Sequence, residues 1–258
     1  LVEGISKVMI DGLKQMDLYK RPIHCTDQKR DTIYVRDNHQ WARDEGNARM
    51  RQAFIDIANK EYFAVKKWVF ERGGRLLYLG GNGLNCEVVF GADGSMRCLS
   101  HLHSEHGEMG GKAPDGSEWD SRMHRTLESE ANLLGVVCTE TGIMTAAPYK
   151  VIDASHWIYA GTGLQNGDLF GRETLHVRIP GGASGHETDK MSAHSPANTQ
   201  LLAKGTNVDN GGSEIVIHER DHKGAVFSVG SITWVPALLI DEDVSTITRN
   251  VLNNFLGR

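Results

Sequence analysis

The sequence predicts an α/β fold, and three observations carry that expectation. A helix-forming stretch runs through Phe70 into Gly73-Gly74. The apolar run Arg75-Leu76-Leu77-Tyr78-Leu79 follows at once, bounded by Gly-Gly on both sides. An amphipathic stretch, Val244–Leu256, closes the chain with Ile247, Val251, Leu252 and Phe255 on one side. A helix stopped by glycine and delivered into a strand with no polar face is the pattern of a crossover onto a sheet buried on both faces.

Earlier elements follow the same reasoning. Ile5, Val8, Met9, Leu13 and Met16 recur at helical spacing, and Pro22 ends what precedes it. Thr32-Ile33-Tyr34-Val35 reads as a short strand. Asp44 to Asn47 offer caps for a long helix whose buried stripe is Met50, Phe54, Ile57, Val65, Trp68 and Val69. Beyond Gly80-Gly81-Asn82-Gly83, strands are expected at Cys86–Phe90, Met96–Leu99, Tyr149–Asp153, Glu173–Ile179, Glu214–His218 and Ala225–Ser231, and a further helix at Arg122–Leu134. The Gly-rich loop then lies at the carboxyl end of a central strand, where open α/β sheets bind ligands.

Composition limits the function classes. The 258 residues are 40% hydrophobic and 24% charged, which excludes global disorder. No run approaches the roughly 18 apolar residues of a membrane helix, and the amphipathic start is unlike a signal peptide, so the expected compartment is the cytoplasm. Cys25, Cys86, Cys98 and Cys138 form no CxxC pair and are read as reduced thiols. The net charge of −5 argues against a dedicated nucleic-acid binder, but it hides a seam. Up to Arg72 there are 14 basic and 11 acidic residues, leaving 14 and 22 for the remainder, and 26 of the 29 glycines fall at or after Gly73. A basic, helix-rich first part therefore precedes an acidic, turn-rich second part.

The runs GGRLLYLGGNGLNCEVVF, HRTLESEANLLGVV, IPGGASGHETDK and GAVFSVGSITW, with VSTITRNVLNNFL, resemble the C-terminal domain of the N,N-dimethylformamidase large (beta) subunit, from about Glu61 to Leu256. The resemblance implies a flavodoxin-like layered sheet, similar to class I glutamine amidotransferases, with additional β structure. It also implies hydrolysis of a small amide at an iron held by tyrosine and glutamate oxygens, with zinc as the alternative metal, and a small subunit or homo-oligomer as partner. Residues 1–60, with Tyr19-Lys20-Arg21-Pro22-Ile23-His24-Cys25, are similar to a segment of large-DNA-virus and phage-like proteins, so the chain reads as a small α+β segment joined to the larger domain. No second cysteine or paired histidines near Cys25 complete a zinc finger there.

Candidate site residues follow from these motifs. Glu187, in Gly-Gly-Ala-Ser-Gly-His-Glu-Thr-Asp, is the carboxylate proposed for metal and catalysis, with His186 or Asp189 orienting it; the alternative is a glycine loop whose acids cap a turn. Tyr62 matches an incomplete family turn as a metal ligand, or is a helix tyrosine. Asn82 belongs to a loop that either offers backbone N–H groups to a substrate oxygen or makes a tight turn. Relatives place aromatic residues where Leu84, Asn85 and Cys86 stand, so a second tyrosine ligand has no counterpart. His101 and His103, with His106, Glu105 and Glu108 nearby, form a rival metal cluster or an exposed loop. His124, Glu128 and Glu130 either join a site or form a solvated face, whereas His156, His176 and His218 read as packing or strand-edge residues and Trp234 as a structural residue or an aromatic near a pocket mouth.

Three functions remain: a metal-assisted amidohydrolase, a non-catalytic α/β scaffold that has lost its metal site, and a DNA-associated N-terminal module carrying a passenger domain. Nucleophile elbows, Walker loops and dinucleotide fingerprints are missing from the sequence.

Overall fold

The computed structural model describes residues 62–84, 88–90, 96–98 and 111–257, apart from 126, 140, 142–143 and 222. Expectations for residues 1–61 lie outside these residues, as do those for Cys86, His101, His103, Glu105, His106 and Glu108. The chain divides into two compact units, Leu1–Ile57 with Val88–Arg97, and Ala58–Glu87 with Cys98–Arg258. In the first, β2 (Val88–Phe90) pairs with β3 (Met96–Cys98), the latter ending at the unit boundary.

The second unit is a mixed α/β fold. Helix α1 (62–72) ends as its glycines dictate: Gly73 adopts φ 71°, and the Gly74 amide donates back to the Trp68 carbonyl at 2.9 Å. Gly74 is required because a Cβ there would lie 2.1 Å from the Trp68 ring. The chain turns directly into β1 (Arg75–Tyr78), which pairs in parallel with β12 (Ala225–Ser228). The full order is β1-β12-β11-β10-β6-β7, with β6 Tyr149–Val151, β7 Leu169–Phe170, β10 Gln200–Gly205 and β11 Glu214–Glu219.

The expected flavodoxin-like sheet becomes, among the described residues, a mixed sheet in which β1–β12 is the parallel pair and the other four pairings are antiparallel. Short returns between β10, β11 and β12 favour antiparallel neighbours, whereas β1 is long separated in sequence from β12. Among the described residues β1 is an edge strand, not a central one.

Alternation along these strands divides the apolar residues between two cores. Leu77, Ile215, Ile217 and Phe227 pack with Tyr149, Phe170 and Trp234 and with Val244, Ile247 and Val251 of α4 (Glu242–Leu256). Leu76, Val216 and Val226 pack instead with Val69 of α1 and Leu133 and Leu134 of α2 (Ala131–Leu134). Period-two alternation thus gives the sheet two buried faces, each covered by helix. Asp241 caps α4 by accepting from the Val244 amide at 3.0 Å, with Glu242 and Asp243 in the first turn favouring the positive end of the helix dipole.

Two expected elements are corrected. Arg122–Leu134 is not one helix: a 3₁₀ turn, Met123–Arg125, is separated from α2. The Ser121 and Ser129 hydroxyls accept from the amides of His124 and Ala131, offering the backbone an alternative to helical bonds. Glu173–Ile179 forms no strand, because the Thr174 hydroxyl accepts from the His176 amide and His176 Nδ1 from the Ile179 amide. Strands at Tyr149 and Ala225 are shorter than expected, stopping at Val151 and Ser228.

Candidate active site around Asp189

Two short strand pairs converge beside the carboxyl end of β1. β9 (Thr188–Lys190) pairs antiparallel with β4 (Val137–Thr139), setting Cys138 opposite Asp189, while β8 (Ser184–Gly185) pairs with β5 (Ala146–Ala147). His186 and Glu187 link β8 to β9, and His186 takes a left-handed conformation with φ 68° that turns the chain between them. Such a conformation costs a non-glycine residue roughly 1–3 kcal/mol and persists only where the surroundings hold it. Here the His186 amide donates to the Thr145 carbonyl at 3.0 Å, and its carbonyl accepts from the Met144 amide at 2.7 Å.

The Gly-rich loop after β1 closes over this link. Gly81 packs so near Glu187 that a Cβ would meet the Glu187 carbonyl at 2.7 Å. Asn82, with φ 51°, directs its amide at both carboxylate oxygens of Asp189, at 2.9 and 3.1 Å. The Tyr78 hydroxyl donates to Asp189 Oδ2 at 2.8 Å and accepts from the Gly83 amide at 2.7 Å. Asn82 therefore serves the protein's own carboxylate with its N–H; the loop is an anchored turn.

Electrostatics follow from burial. Asp189 is 1% exposed, and desolvation pushes its carboxyl up to about 6 despite the bonds from Asn82 and Tyr78; the Glu187 charge adds to the rise. Burial also pushes the Tyr78 phenol and the Cys138 thiol well up, which keeps Cys138 an un-ionised thiol and not a nucleophile. Glu187 is only half-buried and makes no hydrogen bond or ion pair among the described residues, so its carboxylate is the one in this group that solvent reaches. His186 Nδ1 is buried without a partner among those residues, its ring edge-on to His176 with centroids 5.2 Å apart.

Replacing Asp189 with alanine leaves the Tyr78 hydroxyl and the Asn82 amide without their acceptor, each worth about 1–3 kcal/mol when buried. Because the folded pKa is raised, the stabilisation from protonating Asp189 is fully present below its unfolded value near 4 and is lost as pH rises through about 6. The Asp189→Ala loss in Tm is therefore expected to be larger at pH 4 than at pH 7.5. Thermal melts at the two pH values check this, and an equal loss at both would contradict it.

Tyr62 takes a different partner. At the start of α1 and 5% exposed, it donates to Glu128 Oε1 at 2.6 Å, and Lys66 pairs with the same oxygen. Burial and the Glu128 bond hold its phenol far above its usual range. Two residues on, Glu130 is 4% exposed, accepts from the Ser121 hydroxyl at 2.5 Å, and is pushed by burial up to about 8. A carboxyl raised this far contributes stability below about 4.5 that is lost as pH climbs through 8. Glu130→Gln keeps an acceptor for Ser121, so its Tm is expected to fall less than the parent's between pH 5 and 9; parallel melts across that range are the check.

The match to known families covers the same elements. Residues 57–246, nearly three quarters of the chain, match the family described as N,N-dimethylformamidase beta subunit-like, C-terminal. The chain belongs to that family. No curated protein matches it.

A dimethylformamidase-like domain suggests amide-hydrolase chemistry, and the implied iron can be tested against its donors. Tyr62 is committed to Glu128 and Tyr78 to Asp189. Among the described residues, the set of His, Cys, Asp and Glu ligand atoms that converges is Asp115, His124 and His194, which includes neither Glu187 nor Asp189. The oxygen-donor set does not come together in these side chains as they stand, so no step is derived through iron.

Sequence reasoning missed Tyr78, Asp115, Asp120 and His194. In the sequence Tyr78 reads only as part of an apolar strand; its place two residues before the Gly-rich loop is the available signal. The other three had no motif spacing to mark them.

Proposed function

We propose that this dimethylformamidase-like domain hydrolyses small amides, with Glu187 as the catalytic carboxylate and Asp189, Tyr78 and Asn82 as positioning residues. The observation that carries this reading is the packing of the Gly-rich loop on Glu187, locked by the buried Asp189 carboxylate. Glu187 takes a proton from water as the oxygen attacks the amide carbon. The C–N bond then breaks, and the proton passes to the departing nitrogen, leaving a carboxylic acid and an amine. A substrate as small as an N-substituted formamide suits a single solvent-reached carboxylate beside a tight loop.

The family's description as a beta subunit supports a second subunit as partner in the working enzyme. Among the described residues no helix is long and apolar enough to cross a membrane. The test is release of amine from N-methylformamide and N,N-dimethylformamide by the purified full chain, alone and with added iron or zinc. Release that disappears in Glu187→Gln supports the reading. No release from a folded chain under any of these conditions favours the scaffold function instead.

A further inference from the structure

We propose that Asp115, His124 and His194 form a binding site for a zinc-type divalent cation, separate from the Glu187 site. Their ligand atoms all lie within 4.8 Å of one another, and His124 Nε2 is 3.6 Å from Asp115 Oδ2. Ligands about 2.0–2.2 Å from a tetrahedral zinc stand roughly 3.4 Å apart, so the first pair already has the required separation and His194 needs only a small side-chain adjustment. The two imidazoles meet edge-to-face with centroids 4.3 Å apart.

Each ligand is held by a different part of the chain. Asp115 sits in a tight turn closed by the Ala113 amide on the Ser117 carbonyl, flanked by the Lys112–Glu118 bridge. Its Oδ1 accepts from both the Ser117 amide, at 3.0 Å, and the Ser117 hydroxyl, at 2.6 Å, which leaves Oδ2 facing His124. His124 belongs to the 3₁₀ turn and is completely buried. His194 follows β9 in a turn where its amide donates to the Ser192 hydroxyl at 3.1 Å.

The surroundings of His124 resemble the outer shell of a metal-bound imidazole. Nδ1 lies 3.0 Å from Asp120 Oδ1. The carboxylate oxygen accepts from the ring in the tautomer that carries its proton on Nδ1; the Asp120 amide, at 3.4 Å from the same nitrogen, is at the outer limit of a hydrogen bond. Asp120 is itself fixed, because its Oδ2 accepts from the Ser129 hydroxyl at 2.9 Å and the Ser192 hydroxyl at 2.5 Å. A carboxylate that orients the distal ring nitrogen and frees Nε2 for coordination is the usual support of a histidine ligand. Nε2 meanwhile lies 3.2 Å from the Ser117 oxygen, whose own proton goes to Asp115 Oδ1, so in this tautomer no proton holds that contact and a cation can take the Ser117 oxygen's place.

Charge and donor type choose the ion. Two neutral imidazoles and one carboxylate suit zinc and similar borderline metals better than magnesium or calcium, which take oxygen ligands. The negative charges of Asp115 and Asp120 balance a divalent cation. Three protein ligands, one of them exposed, leave a fourth position for water. Bound zinc would tie the 113–117 turn to the segment leaving β9.

The experiment is titration of the chelator-treated full chain with Zn²⁺, followed by calorimetry, and with Co²⁺, followed by visible absorption. One equivalent of zinc with a tetrahedral cobalt spectrum is expected for the parent and for Glu187→Gln. Affinity should fall at least tenfold in His194→Ala and in Asp115→Asn, both partly or fully exposed positions whose loss spares the core. No saturable zinc binding by the folded parent, or unchanged affinity in both variants, would overturn the site. Because amide turnover is not the readout, failure here is distinct from failure of the hydrolase reading.

Discussion

Glu187→Gln is expected to lower kcat for N-substituted formamides by about 10²–10⁴-fold, the usual contribution of a positioned general base, with little change in KM. Glutamine keeps the size and one acceptor oxygen but cannot take the proton of the attacking water, so the loss falls on the transition state alone. Tm should be unchanged, since the side chain is half-buried and makes no bond among the described residues. Asp189→Ala is the informative contrast: it acts through the loop held by Tyr78 and Asn82, so rate and Tm should fall together. A Glu187→Gln chain with parental kcat would remove Glu187 from the chemistry.

Trp234→Ala should produce the largest loss of stability, about 3–5 kcal/mol, or roughly 10 °C in Tm for a chain of this size. Trp234 is completely buried at the start of α3 (Trp234–Ala237), edge-on to Tyr149 with centroids 5.6 Å apart and to Phe170 at 6.3 Å. Its indole N–H donates to the Thr248 hydroxyl at 3.2 Å, joining the sheet core to α4. Truncation removes these contacts and leaves a cavity between layers that cannot collapse without moving a helix. Trp234→Phe should lose less, retaining the ring contacts but not the hydrogen bond. Calorimetric melts of the three chains measure the difference, and a Tm for Trp234→Ala equal to the parent's would refute the hub role.

Much of this was legible in residue order because it depends on local rules. Gly73-Gly74 stops α1, the run after it is β1, and the final amphipathic stripe is α4, extended two residues by the Asp241 cap. His218 reads as packing and is so: fully buried, with Nε2 2.9 Å from the Leu133 carbonyl, and held down to about 4 by burial. The family was legible too, since its motifs are long runs in fixed order.

Tertiary structure alone decided the direction of the strands and the partners of the polar groups. Parallel or antiparallel pairing depends on which edges meet, and a strand's own hydrophobicity is the same in either case. Asn82 could not be assigned to Asp189, 107 residues away, because a backbone N–H carries no sequence signature. Tyr62 meets Glu128 across 66 residues, and His124 meets His194 across a fold that spacing does not encode. Serine hydroxyls at Ser121 and Ser129 broke the expected helix by competing for its amides, a local effect outweighed in the sequence pattern by the apolar spacing around it. The sequence determined helix ends, apolar faces and family because neighbouring residues specify them; the site was decided by the fold, because its geometry is made of long-range contacts.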